Sequence, residues 1–218
     1  MRIAVLADSR SSCPKGELAN ALLEELQSVG EPSLFGSEEC GDYRKSIRPR
    51  EFERVIALVH NAPELAFVAR ELRRVGGIVV LHEWTLDRLA TGLRPALGRG
   101  GFPGRIAAWR EGGISQMLQW SRSGPEGLPL NRSVVRFGDA FVVPDEQMRK
   151  QVLEERNAPT PTATLALDDP LFAARRIAEL IDRLPCHRTA RRSLVQVAIE
   201  EADRKRAERS SSPTSEES

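Results

Sequence analysis

Short, wholly apolar runs alternate along this chain with longer stretches in which apolar residues recur every three or four positions. The clearest run is Ile78-Val79-Val80-Leu81, preceded by Gly76-Gly77 and ended abruptly by His82-Glu83. A run with no polar alternation reads as a strand buried on both faces, as in a parallel sheet. Arg2–Ala7, Arg54–Val59, Ala140–Val143 and Ala163–Leu167 read the same way, and Glu31–Phe35 is a shorter candidate for a second strand.

The intervening stretches carry helical periodicity. Gly16–Val29 places Leu18, Leu22, Leu26 and Val29 on one face, with Gly30 just past the end. Pro63 opens a helix that runs to Val75 with Leu65, Val68, Ala69 and Leu72 on one face. A helix after His82 carries Leu86 and Leu89. Further helical patterns cover Arg105–Trp120, Leu130–Phe137, Pro144–Arg156 and Pro170–Leu184, the last with a stripe of Leu171, Ala174, Ile177, Leu180 and Ile181. Gly36–Arg50 reads as irregular and the glycine-rich Gly92–Gly104 as a mobile loop. Strands alternating with helices at this spacing predict an α/β fold: a single Rossmann-like parallel sheet with helices on both faces, plus a C-terminal helical extension. The organisation expected is a sheet domain over residues 1–169, a helical and increasingly basic extension over 170–209, and a serine-rich disordered tail over 210–218.

Composition narrows the classes without choosing among them. The 218 residues carry a formal charge of +1, which removes the electrostatic case for a dedicated nucleic-acid binder. No apolar run approaches the roughly 20 residues of a membrane helix, and Met1–Asp8 turns polar too soon for a signal peptide, so a cytoplasmic protein without a transmembrane segment is expected. Cys13, Cys40 and Cys186 are far apart and odd in number, which fits neither a disulfide framework nor a zinc site. No metal or cofactor is expected.

Polar residues follow three of the strand candidates: Asp8-Ser9, His60-Asn61 and His82-Glu83. In an open α/β sheet, ligands bind beyond the carboxyl ends of the strands, so parallel strands would open all three pairs on one edge. Each histidine has two readings, a cleft residue or a hydrogen-bonded structural one at the end of a buried strand. Pro14-Lys15-Gly16, ahead of a helix, either presents backbone N–H groups to an anion or makes a tight turn. It is no GxGxxG fingerprint, and no Walker, Ser-His-Asp, HExxH or CxxC arrangement is traceable. Trp109 and Trp120 occupy helical positions that read as core or groove lining.

Three segments together resemble a known family. FERVIALVHNAPELAFVARELRRVGGIVVLHEWTLDRL (Phe52–Leu89) resembles the N-terminal half of GT-B glycosyltransferases of family 4, where a strand, a Gly-Asn turn, a helix and a PGVVVLHD strand follow in that order. CPKGELANALLEEL (Cys13–Leu26) is similar to the loop and helix that precede them. LNRSVVRFGDAFVVPDEQMRKQVLEE (Leu130–Glu155) is similar to a later helix, strand and helix. The resemblance spans roughly residues 1–167.

It implies a site, residue by residue. Gly16 matches the glycine that approaches the donor phosphates, His82 the histidine beside the transferred sugar, and Asn61 the asparagine of the turn. Glu83 stands where the family has aspartate, and His60 where it usually has glycine. The implied roles are catalytic for His82 and Glu83 and substrate-binding for Gly16, His60 and Asn61. The family's second, donor-binding domain has no counterpart in the residues after Leu167, about a quarter of the chain and too few for such a domain. Pro170–Leu184 matches the helix that crosses back onto the first domain. The expected function is that of a glycosyltransferase-like domain in glycan synthesis, either a domain that binds a glycan acceptor or sugar nucleotide or a partner subunit to a separate donor-domain chain, and not competent alone. The alternatives are an enzyme active alone on a small sugar or nucleotide substrate through His82, and a non-catalytic interaction module that uses the cleft or the basic C-terminal helix.

Overall fold

A computed structural model describes residues 1–8, 14–36, 51–181 and 183. The three cysteines, the stretch 37–50, the end of the Pro170–Leu184 helix, the basic extension and the serine-rich tail lie outside the described residues.

Six strands form one sheet, all parallel: β1 (Arg2–Leu6), β2 (Glu31–Phe35), β3 (Arg54–Val59), β4 (Ile78–Leu81), β5 (Ala140–Val143) and β6 (Thr162–Thr164), in the order β2-β1-β3-β4-β5-β6. The apolar runs are continuous because both faces are covered. Ala4, Leu6, Val55, Ala57, Val59, Val79, Leu81, Phe141 and Val143 point into one core cluster; the alternate residues Ile3, Val5, Ile56, Leu58, Ile78, Val80, Ala140 and Val142 point into another.

The first cluster is closed by α2 (Ala66–Val75), α3 (Asp87–Leu93), α5 (Arg132–Val135) and α6 (Glu146–Arg156). The second is closed by α1 (Pro14–Leu26) and α7 (Pro170–Ile181), which pack against each other. A 3-10 turn at Pro63–Leu65 leads into α2. The chain runs out along β1 and β2, then continues in the other direction from β3 onward. The strand order therefore reverses between β1 and β3, where a parallel sheet opens a crevice at its carboxyl edge.

Several local expectations change. Gly92–Gly104 is not a loop. It holds the end of α3, a 3-10 turn at Pro95–Gly98 and the start of α4 (Phe102–Ser123). Pro95 and Pro103 each sit in a first turn, where a missing N–H costs nothing. Gly104 serves packing: a Cβ there would lie 2.2 Å from the Trp120 ring, whose Nε1 donates to the Leu97 carbonyl at 3.1 Å. Trp120 is thus core, together with Ala90, Leu97, Ala107, Ala108, Leu128 and Leu130, whereas Trp109 is exposed. The Arg105–Trp120 helix is α4, but broken at Gly113, whose φ of 76° only glycine adopts readily.

Leu130–Phe137 narrows to the single turn of α5, and Pro144–Arg156 begins at Glu146 because Asp145 caps α6, accepting from Met148 N at 2.7 Å. Gly16–Val29 corresponds to α1 and the turn that follows Leu26.

The last strand is Thr162–Thr164, not Ala163–Leu167. Phe141 N already bonds Pro161 O at 2.9 Å, so pairing starts two residues early, and after Leu165 the chain leaves the sheet. The buried stripe of α7 is Ala173, Ala174, Ile177, Ala178 and Ile181; Leu171 is 69% exposed. Small residues carry the contact because α7 lies close against α1. Among the described residues, no helix is long and apolar enough to cross a membrane.

Candidate functional site

The site at the carboxyl edge follows from strand register. Parallel pairing sets Val59 beside Leu81, so the next residues along, His60 and His82, fall side by side, and Asn61 falls beside Glu83. His82 N bonds Val59 O at 3.0 Å and carries the pairing past the formal strand end. The two imidazoles meet edge to face, 6.4 Å between centroids at 87°. Both histidines and Glu83 are half-buried, and the Nε2 atom of His82 is buried.

Asn61 N donates to Glu83 Oε1 at 2.9 Å, which fixes the carboxylate against the end of β3. The Asn61 side chain turns to α3. Its Oδ1 accepts from Arg88 N at 2.8 Å and Leu89 N at 3.3 Å, so it satisfies donors that the first turn of α3 would otherwise leave open. Its Nδ2 donates to Asp87 Oδ1 at 2.5 Å. Asn61 thus has a structural task in addition to its place at the site: it locks α3 to the end of β3.

Asp87 is the hub of this support. Buried at 9% exposure, its carboxylate also accepts from Arg88 N at 2.8 Å and from Gly127 N at 2.7 Å, which ties the loop after α4 to the same point. Asn131 Nδ2 donates to Trp84 O at 3.0 Å and holds the chain just beyond Glu83. Sequence reading singles out neither residue. An acid in the first turn of a helix reads simply as a favourable charge beside the helix dipole, and Asn131 has no local pattern at all.

The structure brings His60, Asn61, His82 and Glu83 together. Gly16 is buried in the first turn of α1, which begins on the carboxyl side of β1, the strand next to β3. Residues 9–13 between β1 and α1 lie outside the described residues. Glu146 and Glu154 both lie on α6, and Glu146 pairs with Arg149 at 2.8 Å on the surface. Among the described residues, no three His, Cys, Asp or Glu side chains stand together as metal ligands would.

A concavity lies elsewhere, on the face covered by α2 and α5. It is a groove of about 390 Å³ lined by Arg70, Arg73, Arg94, Arg110, Arg132 and Arg136, with Phe137 and Ser133. Sequence reading does not find it, because its arginines come from four separate segments. The only local signal is the helical spacing of Arg70 with Arg73 and of Arg132 with Arg136.

Comparison with family models, with curated proteins and with solved structures finds no match to this chain.

Proposed function

We propose that the chain is a glycosyltransferase-like, acceptor-side domain. It holds a sugar-bearing ligand, either a glycan acceptor or a sugar nucleotide, at the carboxyl edge of its sheet. The observation that carries this reading is the meeting of His60 and His82 at the ends of two central strands, beside the reversal in strand order. Neutral imidazoles each offer one donor and one acceptor nitrogen, which suits a ligand dense in hydroxyls. Glu83, braced by Asn61 N, adds a carboxylate beside them. The resemblance over Phe52–Leu89 matches His82 with the histidine beside the transferred sugar and Glu83 with the aspartate that follows it, whereas His60 stands where the family usually has glycine. In this reading His82 and Glu83 face the sugar, His60 and the turn at Asn61 form the wall, and Gly16 approaches from α1. The packing of α7 onto α1 is in keeping with the family's returning helix.

Glycosyl transfer also needs a leaving diphosphate that is held and neutralised, and a cleft that excludes water. One sheet edge supplies one wall of such a cleft. A separate donor-binding chain completes it, so the isolated chain binds ligand but turns over slowly or not at all.

Purified protein assayed with a panel of sugar nucleotides and glycan acceptors should show weak transfer or none. It should bind members of the panel with an affinity that His82→Ala lowers about five- to thirtyfold, the loss expected for one hydrogen bond, about 1–2 kcal/mol. Steady transfer by the isolated chain, abolished by His82→Ala, would overturn the partner-subunit role and leave the site. Absence of binding to the whole panel would overturn the ligand class.

A further inference from the structure

The arginine groove is placed against electrostatic preference. Arg70 and Arg73 stand one turn apart on α2, and Arg132 and Arg136 one turn apart on α5 and just beyond it, pairs of like charge that destabilise a helix. Arg110 of α4 and Arg94 at the end of α3 complete the lining. Among the described residues, no carboxylate lines the groove. Two of the arginines are neutralised from outside: Arg94 pairs with Glu111, and Arg132 with Glu155 at 3.4 Å. The other four have no ion pair among the described residues. In a chain of formal charge +1 this is a local concentration of positive charge, not the expression of a basic protein.

The groove is also built. Glu111, 1% exposed, binds Arg94 and accepts from Ser133 Oγ at 2.7 Å and Ser133 N at 3.2 Å, so one buried carboxylate fixes the ends of two lining elements. The guanidinium carbons of Arg73 and Arg136 lie 5.9 and 6.0 Å from the centre of the Phe137 ring, a cation–π arrangement that orders both side chains. Arg156 donates to the carbonyls of Val135 and Arg136 and secures the end of α5. A smaller depression of about 290 Å³, sharing Arg132 and Arg136, adjoins the groove and adds Arg156 and the carboxylate of Glu155.

We infer that this groove is a binding site for a small ligand bearing two or more linked phosphates, such as a nucleoside diphosphate or inorganic pyrophosphate. Guanidinium groups bind phosphate oxygens through paired N–H donors, and several converging forks match a ligand of two or more negative charges. The volume suits a compact molecule and lies within the range of small-ligand sites. Glu155 in the adjoining depression, paired with Arg132, interrupts the positive surface, which disfavours an extended nucleic-acid track. The site shares no residue with the carboxyl-edge cleft and does not depend on the function proposed for it.

Calorimetric titration of the full chain with inorganic pyrophosphate, with orthophosphate and with a nucleoside diphosphate tests the inference. Pyrophosphate is expected to bind at least tenfold more tightly than orthophosphate. Arg73→Gln and Arg136→Gln should each weaken pyrophosphate binding at least tenfold, while Arg149→Gln on α6 and His82→Ala should leave it within about twofold. A nucleoside diphosphate that binds more tightly than pyrophosphate identifies a nucleotide as the ligand; equal affinities identify the phosphates alone. Melting temperatures of the variants establish that each is folded, and because Arg73 and Arg136 are exposed, they should match the parent protein. No pyrophosphate binding at millimolar concentration would overturn the site. So would equal loss in Arg149→Gln, or loss in His82→Ala alone. A single-stranded oligonucleotide that displaces pyrophosphate with affinity rising steadily with its length would overturn the small-ligand assignment.

Discussion

Truncation after Asp169 is expected to leave the chain largely unfolded. The cut removes α7, whose Ile177 and Ile181 are fully buried and whose Ala173, Ala174 and Ala178 lie against α1 and the sheet. Burying each isoleucine is worth about 1.5–3 kcal/mol and each alanine methyl about 0.8 kcal/mol. The sum, roughly 5–8 kcal/mol, is comparable to the whole stability of an ordinary domain, about 5–15 kcal/mol. The true loss is larger, because Leu18, Leu22, Ile3 and Val5 lose their cover as well. Ile177→Asp in the full chain should lower the melting temperature in the same direction, which assigns the effect to α7 and not to the residues that follow it. Truncation after Arg209 should leave melting unchanged. Equal melting of the full chain and the Asp169 truncation, with only self-association lost, would instead make α7 an interface.

What the sequence discloses, and what it hides, follows from the range of the forces involved. β1, β3, β4 and β5 are legible as strands because burial on both faces leaves no room for polar residues, and Gly76-Gly77 marks where α2 must end. The parallel sheet with helices on both faces follows from that alternation. The expected last strand starts one residue late and ends three residues late because an edge strand is half-exposed: Thr162-Ala163-Thr164 carries no apolar run, whereas the apolar Leu165 and Leu167 lie just beyond it. The break at Gly113 is hidden because apolar positions continue on either side of it. Gly104 reads as flexibility in one dimension, and only the Trp120 ring sixteen residues later shows that it is a contact.

The site divides in the same way. That His60 and His82 end neighbouring strands is readable once the strands are. Their direct contact depends on a register that no local pattern states. Asp87 and its bonds to Asn61 and Gly127, and the pairing of Arg94 with Glu111, connect residues 17 to 40 positions apart in the chain, and periodicity carries no information about them.

That last pair gives the second large effect. Arg94→Met should destabilise the protein by about 3–5 kcal/mol, because it strands the carboxylate of Glu111, 1% exposed, without its counter-charge. The hydrogen bonds from Ser133 remain and offset only part of that cost. Arg94→Met combined with Glu111→Leu should recover much of the loss, since no buried charge is then left unpaired. Chemical denaturation of the two single variants and the double variant measures the coupling directly. Additive losses would mean that the pair contributes nothing as a pair, and that Glu111 is held by Ser133 alone.

The central claim, that His60 and His82 form one ligand site at the carboxyl edge, is open to one direct measurement. The chain has three histidines, so its imidazole nitrogen resonances in a labelled sample are few, and His60→Gln and His82→Gln assign them. Titration with sugar nucleotides and glycan acceptors is predicted to move the His60 and His82 ring signals together, at the same ligand concentration, and to leave His187 in place. Ring signals of His60 and His82 that stay fixed throughout, while the protein demonstrably binds the ligand elsewhere, would contradict the account.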